Sequence, residues 1–576
     1  VTDIQPEQSI PNRKPSMAKT FGIVAVLTVL SKFAGLARDI MVARAYGTGV
    51  ISDAYNYAYM FTGNILILLG GLGGPFHACT VSVVGHHKDD KDAGVLVTQV
   101  MAITILVMAA ATVAVYLIGH LWLVPKFAAE YKNKDGQLVP AVQQALATST
   151  LQQLDIMLPM IVIAGVIGVI YGVLNIFNKV AWPSISPAIA SLAIIIALVL
   201  FNDPHSGIPL AIGTLAGAVG QLLVQLPAFF TSGFNYSLTF KPHPDLKKYL
   251  WMLFPAILGT QIGQITVYVD SGFANMTGSG SWTAIVNANR LIQLPLGVLL
   301  TAMLVPVQPR FTEHVKEERL DELKDDIRRA LRVLWFLGLP LSAVLLALPG
   351  EIHTVLFQRG EWTDYSTWVT AAALILLVPS IFFYLARDLV TRVFYAYHDS
   401  RSPFIVASIA ILIKYALDYA LVVIVAPMLA PSLYQYMGAQ LPFEAHGQTI
   451  ETARQATALA ICGVAGVSLA TTLMTLINLA FLTALMRKKI GLLGFRKLVG
   501  PATIMVSASA LCFITTFGAY RGIEHLLPAN HICMLINIAM SSAVGMLVYV
   551  GICLAGKLDE PRTVARRLPF VKRLVP

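Results

Sequence analysis

The chain has 576 residues, 56% of them in the apolar AVILMFWYC set and only 12% charged, with a mean hydropathy of +0.70. Soluble globular proteins carry roughly 25% charged residues, so an ordinary cytosolic enzyme, a disordered chain and a disulfide scaffold are excluded in favour of an all-α polytopic membrane protein. The formal net charge of +10 would suit a nucleic-acid partner only if it clustered on a soluble module; here it is spread over short loops between apolar runs, and no nucleic acid is expected.

Residues 1–18 are polar, contain Pro6, Pro11 and Pro15, and read as a cytosolic tail without a convincing cleavage site after the next apolar run. A hydrocarbon core about 30 Å thick takes roughly 20 helical residues to cross. Runs of that kind fall near 19–44, 53–84, 93–121, 147–177, 181–202 and 207–233, then near 246–275, 281–307, 330–350, 366–396, 402–427, 456–486, 498–520 and 533–556. That makes about 14 transmembrane helices, since barrel strands would alternate over only about ten residues. Of the 41 Lys and Arg residues, 28 fall on the side of the amino terminus and 6 on the other. The excess of cations on the inner side of membrane proteins then places both termini in the cytosol. Arg310 to Arg332 mixes seven basic with seven acidic residues and is expected to be a solvated helix joining two bundles, and residues 557–576 a basic cytosolic tail. A faint repeat also shows: Phe177 precedes Pro183 by six residues, as Tyr397 precedes Pro403.

Ionisable side chains inside a span cost about 2.5–3.5 kcal/mol each on insertion scales and mark a bundle interior or an aqueous path. The first span carries Lys32, Arg38, Asp39 and Arg44, with Gly35 and Gly47 as places to bend or end. Lys32 and Asp39 share a helical face, while Arg38 points about 100° away from Asp39. In the second span Asp53, Asn56, Met60 and Asn64 draw a stripe expected to line a wet space. The eighth carries Asn287, Asn289, Arg290 and Gln293, followed by Pro295 and Gly297, which are expected to loosen the helix. Arginine grips phosphate through a planar, permanently charged fork. Lys32, Arg38 and Arg290 are therefore candidates for holding a polyanionic head group, the other reading being an ion pair of Arg290 with Asp53 or Asp270. Asp388 with Arg392, and Lys414 with Asp418, stand at i,i+4 spacing. The deeper pair, Lys414 and Asp418, is read as an ion site whose cation the ammonium replaces.

The chain lacks a phosphate-cradling G-x-x-x-x-G-K-[ST] loop, an H-E-x-x-H pair and any Cys/His spacing for a metal; its five cysteines lie far apart. Neither an enzyme nor a cofactor or metal requirement is expected, and secondary transport driven by a coupling cation, the membrane potential or product consumption is.

The run Ser31-Lys32-Phe33-Ala34-Gly35-Leu36-Ala37-Arg38-Asp39, continued by Ala43-Arg44-Ala45-Tyr46-Gly47 and Asp53-Ala54, resembles the amino-terminal signature of the MurJ (MviN) family. Ala288-Asn289-Arg290-Leu291 with Leu294-Pro295, Phe357-Gln358-Arg359-Gly360, and Asp399-Ser400-Arg401-Ser402-Pro403 continue the resemblance. It implies a flippase for lipid II, the undecaprenyl-pyrophosphate-linked peptidoglycan precursor, in the bacterial inner membrane. It also implies two six-helix lobes, 19–233 and 246–487, joined by a linker at 234–245 around a central cavity. An extra pair at 498–556 would form a groove for the lipid tail. Lys32, Arg38, Asp53, Asn64, Arg290 and Gln293 are then the expected substrate-binding residues, with Asp53 partnering an arginine in the empty cavity. The sequence departs from the family pattern at Lys32, Asn289 and Gln293, and in the second span, where Gly63-Asn64-Ile65-Leu66-Ile67-Leu68 and then Gly70-Gly71-Leu72-Gly73-Gly74-Pro75-Phe76 lack two expected cations and an acid. The competing readings are an ion-coupled drug exporter, a flippase for another lipid-linked saccharide, and a non-transporting membrane scaffold.

Overall fold

The computed structural model describes residues 17–561 except 72–73, 88–89, 91, 134–135, 202, 238, 240, 443–448, 495 and 529. Inside its helices it leaves out the side chains of 17–25, 258–262, 294, 298 and 301–306. Most of the amino-terminal tail and the end of the carboxy-terminal one therefore lie outside the described residues.

The described chain is helical, without strands. First come α1 (Met17–Tyr46), α2 (Val50–Gly70), α3 (Pro75–Val84), α4 (Ala93–Ile118), α5 (Val124–Glu130), α6 (Pro140–Met157) and α7 (Met160–Ile176). Then follow α8 (Ala181–Leu200), α9 (Ile208–Leu223) and α10 (Leu226–Phe230). The second half holds α11 (Leu246–Asn275), α12 (Ser281–Lys316), α13 (Leu320–Ala347), α14 (Pro349–Phe357), α15 (Asp364–Leu377) and α16 (Ser380–Ala396). It continues with α17 (Arg401–Asp418), α18 (Ala426–Met437), α19 (Ile450–Ile490), α20 (Arg496–Glu524) and α21 (His531–Ala555). Ten helical stretches are long and apolar enough to cross a membrane, or eleven with α15 and α16, bent by 44°, taken as one. The helices α1, α11 and α12, of 30, 30 and 36 residues, are also long enough to cross, and each runs over side chains outside the described residues. They are the helices that carry Lys32, Arg38, Asp39, Asp270 and Arg290.

Local chemistry explains the breaks. The run at 53–84 is two helices because Gly71 and Gly74 take extended backbone and Pro75 starts α3 at its first turn. Pro159 separates α6 from α7 and Pro379 separates α15 from α16, since proline has no N–H for the helical ladder. Pro295 and Gly297, by contrast, do not break α12, which runs on to Lys316.

The repeat becomes concrete here. Pro159, Phe177, Asn178 and Pro183 each have a counterpart 220 positions later in Pro379, Tyr397, His398 and Pro403. Asn178 and His398 are both left-handed, at φ 56° and 54°, in the turns that follow α7 and α16.

Packing follows two groups. In the first, α1 lies along α8, α2 against α6 and α7, and α8 against α9; in the second, α19 packs on α15, α16, α17 and α18, and α12 on α13, α15 and α16. The joint is α11, which touches α3 and α4 of the first group and α17 of the second. Gln99 at the start of α4 holds the preceding connection by donating to the Thr239 and Lys241 carbonyls at 3.0 and 2.7 Å. Arg310 to Arg332 corrects the expectation of a bundle-joining helix: it is the end of α12, a turn, and the start of α13, two neighbours of one group. Last, α20 packs on α13 and on α21, leaving Val506, Ile514, Ile536 and Leu547 among its exposed apolar residues.

Candidate functional site: charged residues between the two helical groups

At the end of the bundle that carries the turns 47–49 and 278–280, the two groups are sealed together; the other end carries most of the loop Lys and Arg residues. The seal is built on backbone contact. Gly47 terminates α1 at φ 53°, and a Cβ there would strike the Glu361 carbonyl. Gly280 precedes α12 at φ 87°, and a Cβ there would stand 2.9 Å from Thr48. Only glycine gives both the left-handed turn and the clearance. Glu361 N–H then donates to the Arg44 carbonyl at 3.0 Å, and the Thr48 and Ser366 hydroxyls meet at 2.7 Å.

Asp53 is the centre of this seal. Fully buried, it accepts from Gly280 N–H at 2.7 Å, Thr283 N–H at 2.8 Å, the Thr283 hydroxyl at 2.6 Å and the Tyr131 hydroxyl at 2.7 Å. A side chain of α2 thus caps α12 of the other group, where the unpaired N–H groups and helix dipole favour a negative charge. Among the described residues no arginine pairs with Asp53, whose oxygens are taken by α12 and Tyr131 instead. Asn56 donates to Thr283 at 3.0 Å, Met60 is buried, and Asn64 donates to Gln264 of α11 at 3.2 Å. The stripe expected to line a wet space instead runs along a seam between helices, with Asp53, Asn56 and Met60 buried and Asn64 half-buried, and its partners include backbone and neutral side chains of α11 and α12.

The cations converge deeper in. Arg38 Nε and Nη2 bond Asp39 Oδ1 at 3.0 and 2.8 Å, and Arg290 Nη1 of α12 reaches the same oxygen at 3.3 Å. Arg290 also donates to Asn287 Oδ1 at 3.3 Å. The expected ion pair of Arg290 with Asp53 or Asp270 is therefore corrected to one with Asp39. Adjacent Arg38 and Asp39 meet despite their 100° separation because the long guanidinium stem folds back along the helix. The Arg38 and Arg290 side chains keep 23% and 25% of their surface, although Asp39 keeps 10%. Lys32, about 10 Å further along α1 by helical rise, is exposed and has no ion pair among the described residues, and Gln293 is exposed one turn beyond Arg290.

A second charged centre lies within the second group. Lys414 of α17, fully buried, stands 2.5 Å from Asp270 of α11 and 2.6 and 2.7 Å from the two Asp418 oxygens, with the Val467 carbonyl at 3.4 Å. A π-helical stretch, Tyr419–Val425, starts directly after Asp418. The i,i+4 spacing shows Lys414 with Asp418 but not Asp270, which comes from a helix some 145 residues earlier. The other i,i+4 pair does not form: Asp388 is bonded by its neighbour Arg387 at 2.8 Å instead of Arg392. Among the described residues no three His, Cys, Asp or Glu side chains are grouped to hold a metal.

The family model for lipid II flippase MurJ matches residues 42–433. This chain belongs to the MurJ family. A probable lipid II flippase MurJ of Synechocystis is 32% identical over 423 residues, covering 70% of this chain and 76% of the relative. A lipid II flippase MurJ of Burkholderia cenocepacia is 27% identical over 413 residues, covering 69% and 77%. A solved lipid II flippase MurJ in an inward closed conformation superposes with a TM-score of 0.68 at 20% identity, covering 92% of this chain and 97% of that one. An inward-facing multidrug MATE transporter gives 0.62 at 13% identity, covering 82% and 98%. The MurJ and MATE likenesses fix a polytopic transporter fold. Tyr131, Gly280 and Thr283, which the sequence did not single out as site residues, contribute to the seal; the sequence signals only a tight turn at Gly278-Ser279-Gly280, and nothing around Tyr131 marks it.

Proposed function

We propose that this MurJ-family chain moves lipid II from the cytoplasmic to the outer leaflet of the bacterial inner membrane by alternating access, with both termini cytosolic. The observation that carries the reading is the meeting of Arg38 and Arg290, one from each helical group, on the single oxygen of Asp39 at membrane depth. Two guanidinium groups and the nearby Lys32 outnumber that one acid. A diphosphate brings two negative charges and a set of acceptor oxygens that fits paired guanidinium forks. Its entry from the basic end would take over the place of Asp39 and draw α1 and α12 together around the head group. Gln293 and Asn64 supply neutral hydrogen bonds to the saccharide when the seam at α2 opens. The sealed end is then the periplasmic gate, and release of Asp53 from α12 is the step that opens it. The exposed apolar faces of α20 and α21 are suited to the polyprenyl tail.

A surplus of cations disfavours a cationic drug as cargo, because that cargo would call for unpaired acids, and Asp39, Asp53, Asp270 and Asp418 are all engaged. At the second centre the Lys414 ammonium occupies the place of a coupling cation between Asp270 and Asp418, and transport runs on the membrane potential or on consumption of lipid II outside. The test is rescue of a strain depleted of its own lipid II flippase. Arg38→Ala and Arg290→Ala are expected to abolish rescue at normal membrane levels, and growth supported by either variant would refute the reading.

A further inference from the structure

The repeat places α7 and α16 in register 220 positions apart, and the two copies differ on one face. In α7 that face reads Ala164, Ile167, Gly168 and Gly172, all buried. A Cβ on Gly168 would stand 2.6 Å from Phe76 Cβ, and one on Gly172 would stand 2.6 Å from Thr80 Cγ2, so the glycines let α3 close against α7. The same positions in α16 are Tyr384, Arg387, Asp388 and Arg392. Where the first copy is sealed, the second is charged and partly open: the Arg387 and Asp388 side chains keep 20% and 29% of their surface.

These residues repeat the arrangement of the cation centre. Arg387 Nε and Nη2 bond Asp388 Oδ1 at 3.3 and 2.8 Å, as Arg38 does with Asp39, and its guanidinium lies 4.0 Å over the Tyr384 ring. Arg387 is nine residues from the end of α16, about 14 Å by helical rise. A charged pair at that depth facing lipid would cost several kcal/mol, and α16 packs on α12, the Arg290 helix, where Gln308 reaches the Arg392 carbonyl at 3.5 Å. That contact sets the relative heights. Gln308 is 18 residues past Arg290, and Arg387 is five residues before Arg392, so Arg387 stands about 20 Å nearer the basic end than Arg290.

We propose that Arg387, Asp388 and Tyr384 form a second head-group subsite that takes a carboxylate of the peptide stem carried by the lipid-linked saccharide. The inference rests on the lipid II reading above. With the diphosphate at Arg38 and Arg290, a five-residue stem extends up to about 17 Å, and the sugar that bears it supplies the rest of the 20 Å. Asp388 holds one edge of the Arg387 fork and keeps the charge balanced while the subsite is empty. Nη1 is left to meet the planar carboxylate, and the Tyr384 ring supports the guanidinium from below.

The test compares two probes in vesicles containing only this protein: a polyprenyl-diphosphate disaccharide with its acidic stem, and the same lipid with the stem carboxylates amidated. Wild-type protein is expected to move the acidic probe about tenfold faster, the size of one charge-assisted contact. Arg387→Gln brings the ratio of the two rates close to one, Arg387→Lys recovers part of it, and Arg290→Gln slows both probes together and keeps the ratio. A ratio of one in the wild type, or a tenfold ratio surviving in Arg387→Gln, overturns the subsite and leaves the flippase reading standing. Wild-type protein that moves neither probe overturns the flippase reading and the subsite with it.

Discussion

Replacing Asp53 by asparagine keeps the size of the side chain and removes its charge from the N-terminus of α12. Each carboxylate oxygen accepts one backbone N–H, Oδ2 from Gly280 and Oδ1 from Thr283. Either orientation of the new amide therefore turns its NH2 against a buried backbone donor. A buried donor left unpaired costs about 1–3 kcal/mol, and a bond that becomes neutral loses about 1 kcal/mol. Loss of the charge at a partly buried helix terminus adds up to about 2 kcal/mol. Together these weaken the seal by about 4 kcal/mol, roughly a thousandfold in the closed-to-open ratio at that end. The assay is a disulfide trap: with the five native cysteines replaced, Thr48→Cys and Ser366→Cys stand where two hydroxyls now meet at 2.7 Å. Rapid cross-linking with Asp53 present, and slow or partial cross-linking in Asp53→Asn, is the expected result. Equal cross-linking in both would refute the assignment of Asp53 as the latch.

Four further outcomes follow from the same geometry. Lys414→Met leaves Asp270 and Asp418 buried without their ammonium and is expected to cost about 3–5 kcal/mol, read as a lowered melting temperature of the purified protein; Lys414→Asn is expected to make stability and transport depend on sodium, and independence from sodium would count against the ion-substitute role. The carboxyl of Asp399, bonded by Lys489 and by Ser402, is held down at about 2. Its contribution to stability is present above the ordinary value of 3.8 and is lost as pH falls towards 2, so melts between pH 5 and 2 should be steeper for the wild type than for Asp399→Asn. Gly168→Leu drives a side chain into Phe76 and should separate α3 from α7 at a cost of about 1–3 kcal/mol, seen as a lower melting temperature.

Helix existence was legible because apolar length alone decides it in a membrane; where helices break was not, since 147–177 and 366–396 read as single spans across Pro159 and Pro379, and Pro295, expected to loosen α12, does not break it. The stretch at 53–84 read as one span because hydropathy does not register that Gly71 and Gly74 leave the helical backbone. At the site, Lys32, Arg38 and Arg290 stood out because a cation in an apolar run is costly. Their partner did not: Asp39 beside Arg38 looks like a local neutraliser, and its reach to Arg290 joins residues 251 positions apart. Asp53 was singled out for the right reason, a buried charge, and given the wrong partner, because helix termini of another group carry no signature in the sequence around residue 53. The missing Asp270 in the Lys414 centre has the same cause.

The central claim is that guanidinium groups from two helical groups jointly carry a diphosphate head group across the membrane, and transfer of fluorescent lipid II between the leaflets of vesicles containing only this protein tests it. Wild-type protein should accelerate transfer well beyond protein-free vesicles, and Arg290→Ala should slow it about a hundredfold, the loss of a charge-assisted pair of bonds. Transfer at the protein-free rate in the wild type, or an unchanged rate in Arg290→Ala, would contradict the account.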